Sequence, residues 1–362
     1  MSRNDAPADA SVVQQARDVV GLYGDPHSAW GIALELVFDE PLDLVGVEER
    51  LTRLCAEFPQ LGAPPALDEV AAEAWAARRE DAASREFGED GRLVRLLVSP
   101  DRTELFIAAH HGVTDGLGML AIAEAVAQRD LRSEARGVAD RASSRSFLTS
   151  SVLRLWEALM HPPARFAGVP GRHGSVEEPD RMDVLPVTRT RADTARMCSV
   201  VATVFGRWRP RGRVGRGRVI LVLGVSRRRA GELAANRQTG YLRVPLAPGA
   251  PEQEVRALLA DLHPEPDFPE TRAGGVGPLV TRLLRNRLGN TATLSNLGIL
   301  HGEGLRHAGI FPALSGPQAV GVGVVSTAQT TTLTLRTRRA EFTEEQHREL
   351  LRLIVEELAA RS

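Results

Sequence analysis

Two histidines, an aspartate and two glycines lie within seven consecutive residues of this chain: His110, His111, Gly112, Asp115 and Gly116, in the pattern HHxxxDG. Imidazole can take a proton from a hydroxyl or amine near neutral pH, because its unperturbed pKa is about 6.5. A carboxylate beside it can shape and charge-balance such a site. The stretch therefore predicts acid–base chemistry in which one histidine acts as the base.

The residues on either side place this motif between a strand and a helix. Residues 103–109 form an apolar run of strand length. The residues after the motif carry apolar side chains at helical spacing: Met119, Ile122, Ala123 and Val126. Neighbouring strand residues point to opposite faces, so one histidine can face a cleft while the other packs inward. The same alternation argues against a metal site, since adjacent strand histidines rarely share one ion.

The motif and its flanks resemble the CoA-dependent acyltransferase superfamily. This superfamily includes chloramphenicol acetyltransferase, plant alcohol acyltransferases, condensation domains of nonribosomal peptide synthesis and polyketide-associated acyltransferases. Residues 30–38 and 43–58 are similar to its first strand and first helix, and 293–298 to the SNxG strand end of the condensation branch. The resemblance covers most of the chain. It implies an α/β fold of two chloramphenicol-acetyltransferase-like subdomains, each a mixed sheet with flanking helices, around a central tunnel.

The same resemblance assigns roles to the residues of the motif. His111, the second histidine, is implied to be the general base. Asp115 is implied to pair with an arginine and to shape the site, and Arg227, just after an apolar run at 219–225, is the candidate partner. We expect His110 to pack inward and Gly116 to permit the turn. The alternative for His111 is a structural histidine at a strand end.

Ser295 and Asn296, near the end of the SNxG segment, are the candidates to donate to the oxyanion of a tetrahedral intermediate. Both residue types also cap turns, and that structural role is the alternative for each of them.

The resemblance implies transfer of an acyl group from a thioester to the hydroxyl or amine of a small acceptor, in natural-product or lipid biosynthesis. The donor would be acyl-CoA or an acyl-carrier protein, so coenzyme A or phosphopantetheine takes part without being bound permanently. One alternative is a non-catalytic, condensation-like module that recruits a carrier protein or partner enzyme. Another is condensation-type amide formation or cyclisation on the same scaffold.

Length and composition give the frame for these expectations. A chain of 362 residues with 43% apolar residues is long enough for two domains. We predict an N-terminal subdomain at 1–165, a crossover linker at 166–185 and a C-terminal subdomain at 186–362. Helices are predicted at 44–58, within 69–87, up to 128, around 153–159, and at 192–208, 252–262, 277–288 and the C-terminus. Strands are predicted at 29–38, 92–98, 103–109, 219–225, 240–246, 332–338 and one ending at 296.

The charge pattern argues against several classes of partner. The net charge is −1, so no overall field favours nucleic acid or an anionic membrane, and no apolar run reaches membrane-spanning length. All 45 basic residues are arginine, which excludes a lysine nucleophile. An arginine- and glycine-rich stretch at 207–218 is predicted to be a solvated loop; binding of phosphate, nucleic acid or an acidic carrier-protein face is the alternative.

Cys55 and Cys198 are each expected to be buried within helices. No segment near the N-terminus resembles a signal peptide. We therefore expect a reduced, cytoplasmic protein. We also expect a monomer.

Overall fold

The computed structural model describes residues 12–16, 29–135, 137–138, 141–166, 178–188, 192–208, 218–229, 231–266, 289–314 and 318–361. Its strands are β1 (Gly31–Phe38), β2 (Leu67–Glu69), β3 (Val94–Val98), β4 (Glu104–His110), β5 (Leu131–Ser133), β6 (Arg181–Thr188), β7 (Val219–Ser226), β8 (Thr239–Leu246), β9 (Ala292–Gly302), β10 (Leu305–Phe311), β11 (Val320–Ser326) and β12 (Thr330–Thr337).

The helices are α1 (Val47–Glu57), α2 (Trp75–Ser84), α3 (Gly116–Ala127), α4 (Phe147–Met160), α5 (Thr194–Arg207), α6 (Glu252–Asp261) and α7 (Glu344–Ala359). Residues 12–16 are also helical, and Pro59–Leu61 and Ala72–Ala74 form short 3-10 turns. These elements form two mixed sheets with flanking helices, which confirms the predicted fold class. The central tunnel stays a prediction.

The first sheet carries the motif and has the strand order β10-β1-β4-β3-β2. Strand β1 lies between β10 and β4, and all eight of its residues are buried. It pairs antiparallel with β4, so that Gly31 lies opposite His110. On its other side it pairs antiparallel with β10, where Ala33 lies opposite Phe311. A strand from far along the chain therefore completes the sheet that holds the histidines.

The second sheet has the order β6-β12-β11-β9-β7-β8, and β5 pairs with the far end of β9. Three adjacent strands, β11, β9 and β7, run parallel to one another. Helices α5 and α7 bury Cys198, Val201 and Leu350 against it in a second hydrophobic core. Helix α7 begins with the Thr343–Gln346 capping box, in which each residue's side chain bonds the other's backbone amide.

Several features of the second half differ from the sequence predictions. The strand expected to end at 296 continues to Gly302, because Gly298, with φ +69°, absorbs a bulge without ending the pairing. The predicted linker at 166–185 ends within β6, which begins at Arg181. Strands β10 and β11 were not predicted. The expected helix at 277–288 lies outside the described residues, as do residues 209–217 of the arginine-rich stretch.

Candidate active site

The motif lies where β4 gives way to α3. Strand β4 ends at His110, and the amide of His111 donates to the carbonyl of Trp30 at 2.9 Å. Residues 111–113 form a turn, and residues 114–115 lead into α3, which begins at Gly116. Asp115 caps this helix, since its Oδ1 accepts a hydrogen bond from the amide of Gly118 at 2.9 Å. The turn thus has a fixed connection at each end.

His110 faces inward. It is only 4% exposed, and its Nδ1 accepts a 3.2 Å hydrogen bond from the amide of Gly112. Its ring lies edge-on to Phe87, with centroids 6.0 Å apart. These contacts hold the turn from inside, the role expected of His110.

His111 points the other way and bonds through both ring nitrogens. Its Nδ1 lies 3.2 Å from the carbonyl oxygen of Thr114, and its Nε2 lies 2.9 Å from the hydroxyl of Tyr241 on β8. A carbonyl only accepts hydrogen bonds, so this contact assigns the proton to Nδ1. Nε2 is then an acceptor, and the Tyr241 hydroxyl donates to it. This is the tautomer that a general base needs.

Burial, together with the positive charge of Arg237, lowers the pKa of His111 from 6.5 to about 4. The hydrogen bond with Thr114 and the negative charge of Asp115 act in the opposite direction and are the smaller causes. His111 is therefore neutral at physiological pH, and its Nε2 lone pair is available.

We expect the stability of the protein to fall as the pH is lowered from about 6.5 towards about 4. In that window the unfolded chain binds a proton at His111 and the folded chain does not, so acid favours unfolding. Urea unfolding of wild type and His111→Gln across pH 4–7 measures the effect. The variant should lose less stability over this window than wild type. Equal losses in the two proteins would contradict the lowered pKa.

Asp115 is buried, with 3% exposure, and its carboxylate accepts from four donors. Besides the Gly118 amide these are the Arg228 guanidinium at 2.7 and 2.8 Å, the Gln238 amide at 2.7 Å and the Thr239 hydroxyl at 2.8 Å. Three of the four come from the second half of the chain. Asp115 therefore caps α3 and joins the two sheets at the same time.

The arginine that pairs with Asp115 is Arg228, and the prediction of Arg227 was wrong by one residue. The Arg227 amide still bonds the Gln238 carbonyl at 2.8 Å, which extends the β7–β8 ladder by one residue. Its side chain lies over Gly240. Successive side chains of an extended chain point to opposite sides, so the next residue, Arg228, faces the motif.

The Arg228 guanidinium is 3% exposed and is held from its other side as well. Its Nη2 donates to the backbone carbonyls of Ala234 at 3.1 Å and Asn236 at 2.5 Å. Both carbonyls also approach Gly118, where an added Cβ would lie 3.2 Å and 2.5 Å from them. A glycine at this position of α3 lets the second half of the chain come close enough to form the ion pair.

The SNxG segment also meets the motif, through Leu297. A Cβ added to Gly116 would lie 2.6 Å from Leu297 Cδ2, so this side chain packs on the first residue of α3. Asn296 takes the structural alternative: its Nδ2 donates to the Ala192 carbonyl at 3.2 Å, and its Oδ1 accepts from the Gly298 amide at 2.8 Å. Ser295, the adjacent residue of β9, points to the opposite face of the sheet.

Ser295 shares that face with Tyr241. The strand register sets Tyr241, Gly224, Ser295 and Gly323 side by side on β8, β7, β9 and β11. Residues in register on neighbouring strands project to the same side. The sequence predicted strand β8 but not a role for Tyr241. The available signal was a tyrosine beside a glycine in a strand predicted for the second half.

Other site chemistries find no support among the described residues. They contain no cluster of three or more His, Cys, Asp or Glu side chains able to hold a metal ion. Both cysteines are buried, and burial raises the pKa of each thiol, which disfavours the reactive thiolate. No helix in the described ranges is long and apolar enough to cross a membrane.

The chain is similar in fold to condensation domains. No protein-family model and no curated protein matches its sequence. Among solved structures, the first condensation domain of the calcium-dependent antibiotic synthetase, in complex with a substrate analogue, superposes with a TM-score of 0.61 at 16% identity. The similarity covers 96% of this chain and 94% of that one.

Two further structures agree. A variant of the starter condensation domain of rhizomide synthetase, in complex with C8-CoA and Leu-SNAC, gives a TM-score of 0.57 at 17% identity, covering 98% of this chain and 96% of that one. The cyclization-docking bidomain EpoB from Sorangium cellulosum gives 0.56 at 12% identity, covering 98% and 85%. The chain therefore has the condensation-domain fold, as the resemblance predicted.

Proposed function

We propose that the protein transfers an acyl group from a thioester to a hydroxyl or amine, with His111 as the general base. One observation carries this proposal: His111 Nε2 already accepts a hydrogen bond from a hydroxyl, that of Tyr241, at 2.9 Å. This is the geometry that a base must have towards the group that it deprotonates. The Thr114 carbonyl holds the required tautomer from the other side of the ring.

The proposed step is a nucleophilic acyl substitution. The acceptor's O–H or N–H proton goes to His111 Nε2 while its oxygen or nitrogen forms a bond to the thioester carbonyl carbon. The tetrahedral intermediate then collapses, the C–S bond breaks, and the imidazolium returns the proton to the leaving thiolate. A donor to the oxyanion lowers the barrier, and Ser295 is our candidate because the amide of Asn296 is engaged elsewhere.

Coenzyme A or phosphopantetheine thioesters are the proposed donors. The rhizomide synthetase domain in the comparison holds C8-CoA, which supports a thioester donor on this fold. We place the donor and the acceptor on opposite sides of His111, between the two sheets, because both sheets supply residues to the site. An enclosed position of this kind keeps water from the thioester.

Amide formation or cyclisation on a carrier-bound chain is the second candidate. It is favoured by the neighbours, which are named as condensation and cyclization domains. The two candidates share the base and the thioester and differ only in the nucleophile. A test of the acceptor therefore separates them.

A thiol-release assay tests the proposal. Purified protein is incubated with a panel of acyl-CoA thioesters and with an acylated carrier protein, each with alcohol and amine acceptors, and free thiol and product mass are followed. We expect at least one pairing to release thiol above the rate without enzyme. A structure with coenzyme A should place the thiol beside His111. Binding far from His111, with no release from any donor, would instead support the module that recruits a partner.

A further inference from the structure

The Tyr241 hydroxyl is hydrogen-bonded to His111 Nε2, the atom that acts as the base in the proposed reaction. A neutral imidazole protonated at Nδ1 has one lone pair at Nε2, in the plane of the ring. The Tyr241 hydroxyl lies 2.9 Å from that nitrogen and donates to it, with the two rings nearly perpendicular at 87°. An acceptor that gives up its proton must occupy the same lone pair. Tyr241 and the acceptor therefore exclude each other at His111.

The space beside Tyr241 is open on the strand next to it. Gly224 lies in register with Tyr241, and among the described residues a Cβ added to Gly224 would meet only Thr239 Cγ2 within 4 Å, at 3.6 Å. Gly224 has no positive φ, so a side chain would fit the backbone there without strain. Neither the backbone conformation nor close packing therefore requires a glycine at position 224.

The matching position on the other side of Ser295 is filled. Gly323 lies in register with Ser295 on β11, and a Cβ added to it would collide with the carbonyl oxygen of Ile310 on β10. The open space is thus bounded by Tyr241 on one side and by β10 beyond Ser295 on the other. Its floor is Gly224, and Ser295, the candidate oxyanion donor, lies at its edge.

We propose that Tyr241 is a positioning residue that caps His111 while no acceptor is bound, and that the acceptor displaces its hydroxyl and lies over Gly224. This inference rests on the proposed function. The cap has a chemical purpose, because water is also a nucleophile. A water molecule at Nε2 would lose its proton to His111, attack the thioester carbonyl and release the acyl group as a carboxylic acid together with the free thiol.

Tyr241→Phe removes the cap and keeps the ring. We expect thiol release without acceptor to rise about three- to ten-fold, the factor set by the loss of one net hydrogen bond. With acceptor, KM should fall by a similar factor, since nothing has to be displaced. The acidic limb of the pH–rate profile should move to higher pH, because a hydrogen bond donated to neutral imidazole holds the pKa of His111 down.

The controls separate this inference from the proposed function. Thr52→Ala removes another hydroxyl, one bonded to the Glu48 carbonyl on the exposed face of α1, and should change none of these readouts. A ten-fold or larger fall in kcat for Tyr241→Phe, without extra hydrolysis, would overturn the cap and show that the hydroxyl passes the proton on. If the proposed function itself is wrong, neither wild type nor any variant will show thiol release that depends on His111.

Gly224→Leu tests where the acceptor lies. A leucine side chain should fill the open space and raise the acceptor KM at least ten-fold. Gly224→Ala, a much smaller addition, should raise KM less, and larger acceptors should be affected before smaller ones. Equal KM values for wild type and Gly224→Leu, with both proteins folded by circular dichroism, would place the acceptor elsewhere.

Discussion

The His111→Ala variant will lose between about a hundred-fold and ten-thousand-fold of the rate of acyl transfer while keeping the wild-type fold. That range is the usual contribution of a positioned general base. The fold should survive because the hydrogen bonds of the His111 side chain join it only to the Thr114 carbonyl and the Tyr241 hydroxyl among the described contacts. Single-turnover thiol release measures the rate of acyl transfer, and the melting curve measures whether the fold is retained.

A matched histidine provides the control for this variant. His301 on β9 is exposed and pairs with Glu134 at 2.8 Å, and His301→Ala should keep both the rate and the stability. His111→Gln, which can still bond to Tyr241, should be as inactive as His111→Ala. Wild-type turnover in either His111 variant would show that this histidine is structural.

Asp115→Asn will destabilise the protein by about 3–5 kcal/mol, as expected when one partner of a buried ion pair is removed. The neutral amide leaves the positive charge of Arg228 buried, with 3% exposure, and places an NH2 group among four donors. Urea unfolding monitored by fluorescence measures the change in the free energy of unfolding.

A solvent-exposed ion pair of the same protein provides the control for Asp115→Asn. Arg53 and Glu49 on α1 pair at 3.2 Å with side chains 73% and 79% exposed, so Arg53→Gln should change stability by less than about 0.5 kcal/mol. The double variant Asp115→Asn/Arg228→Gln should lose less than the sum of the two single losses, because the second change removes a charge that the first left unpaired. A wild-type unfolding curve for Asp115→Asn, with activity lost, would give Asp115 a direct chemical role.

The elements that hold the motif could be predicted because their signals are local. Strand β4, helix α3 and the capping box of α7 each show their periodicity or cap within about a dozen residues. The alternation of side chains along a strand is also a local pattern, and it predicted that His110 and His111 point to opposite faces. Strands β10 and β11 were missed because their local patterns are weak: β10 contains Arg306, His307 and Gly309, and β11 has glycine at two of its seven positions.

The contacts between the two halves could not be predicted from local pattern. The choice between Arg227 and Arg228 depends on where β7 stops, and a shift of one residue turns the side chain to the other face. Tyr241 reaches His111 only because the register of β8 with β7 is fixed by pairs such as Gly224 with Tyr241. Register and interdomain distance are properties of the assembled chain, and no short stretch of sequence carries them.

The pairing of β1 with β10 has a consequence for how the protein is made. About 270 residues separate the two strands, so the sheet that carries the histidines has an unpaired edge until the ribosome has synthesised residue 311. During that time β1, all of whose residues become buried, presents free amides and carbonyls to any other strand. Any partial chain that ends before residue 311 therefore exposes a strand edge that can pair with another chain, which is a route to aggregation.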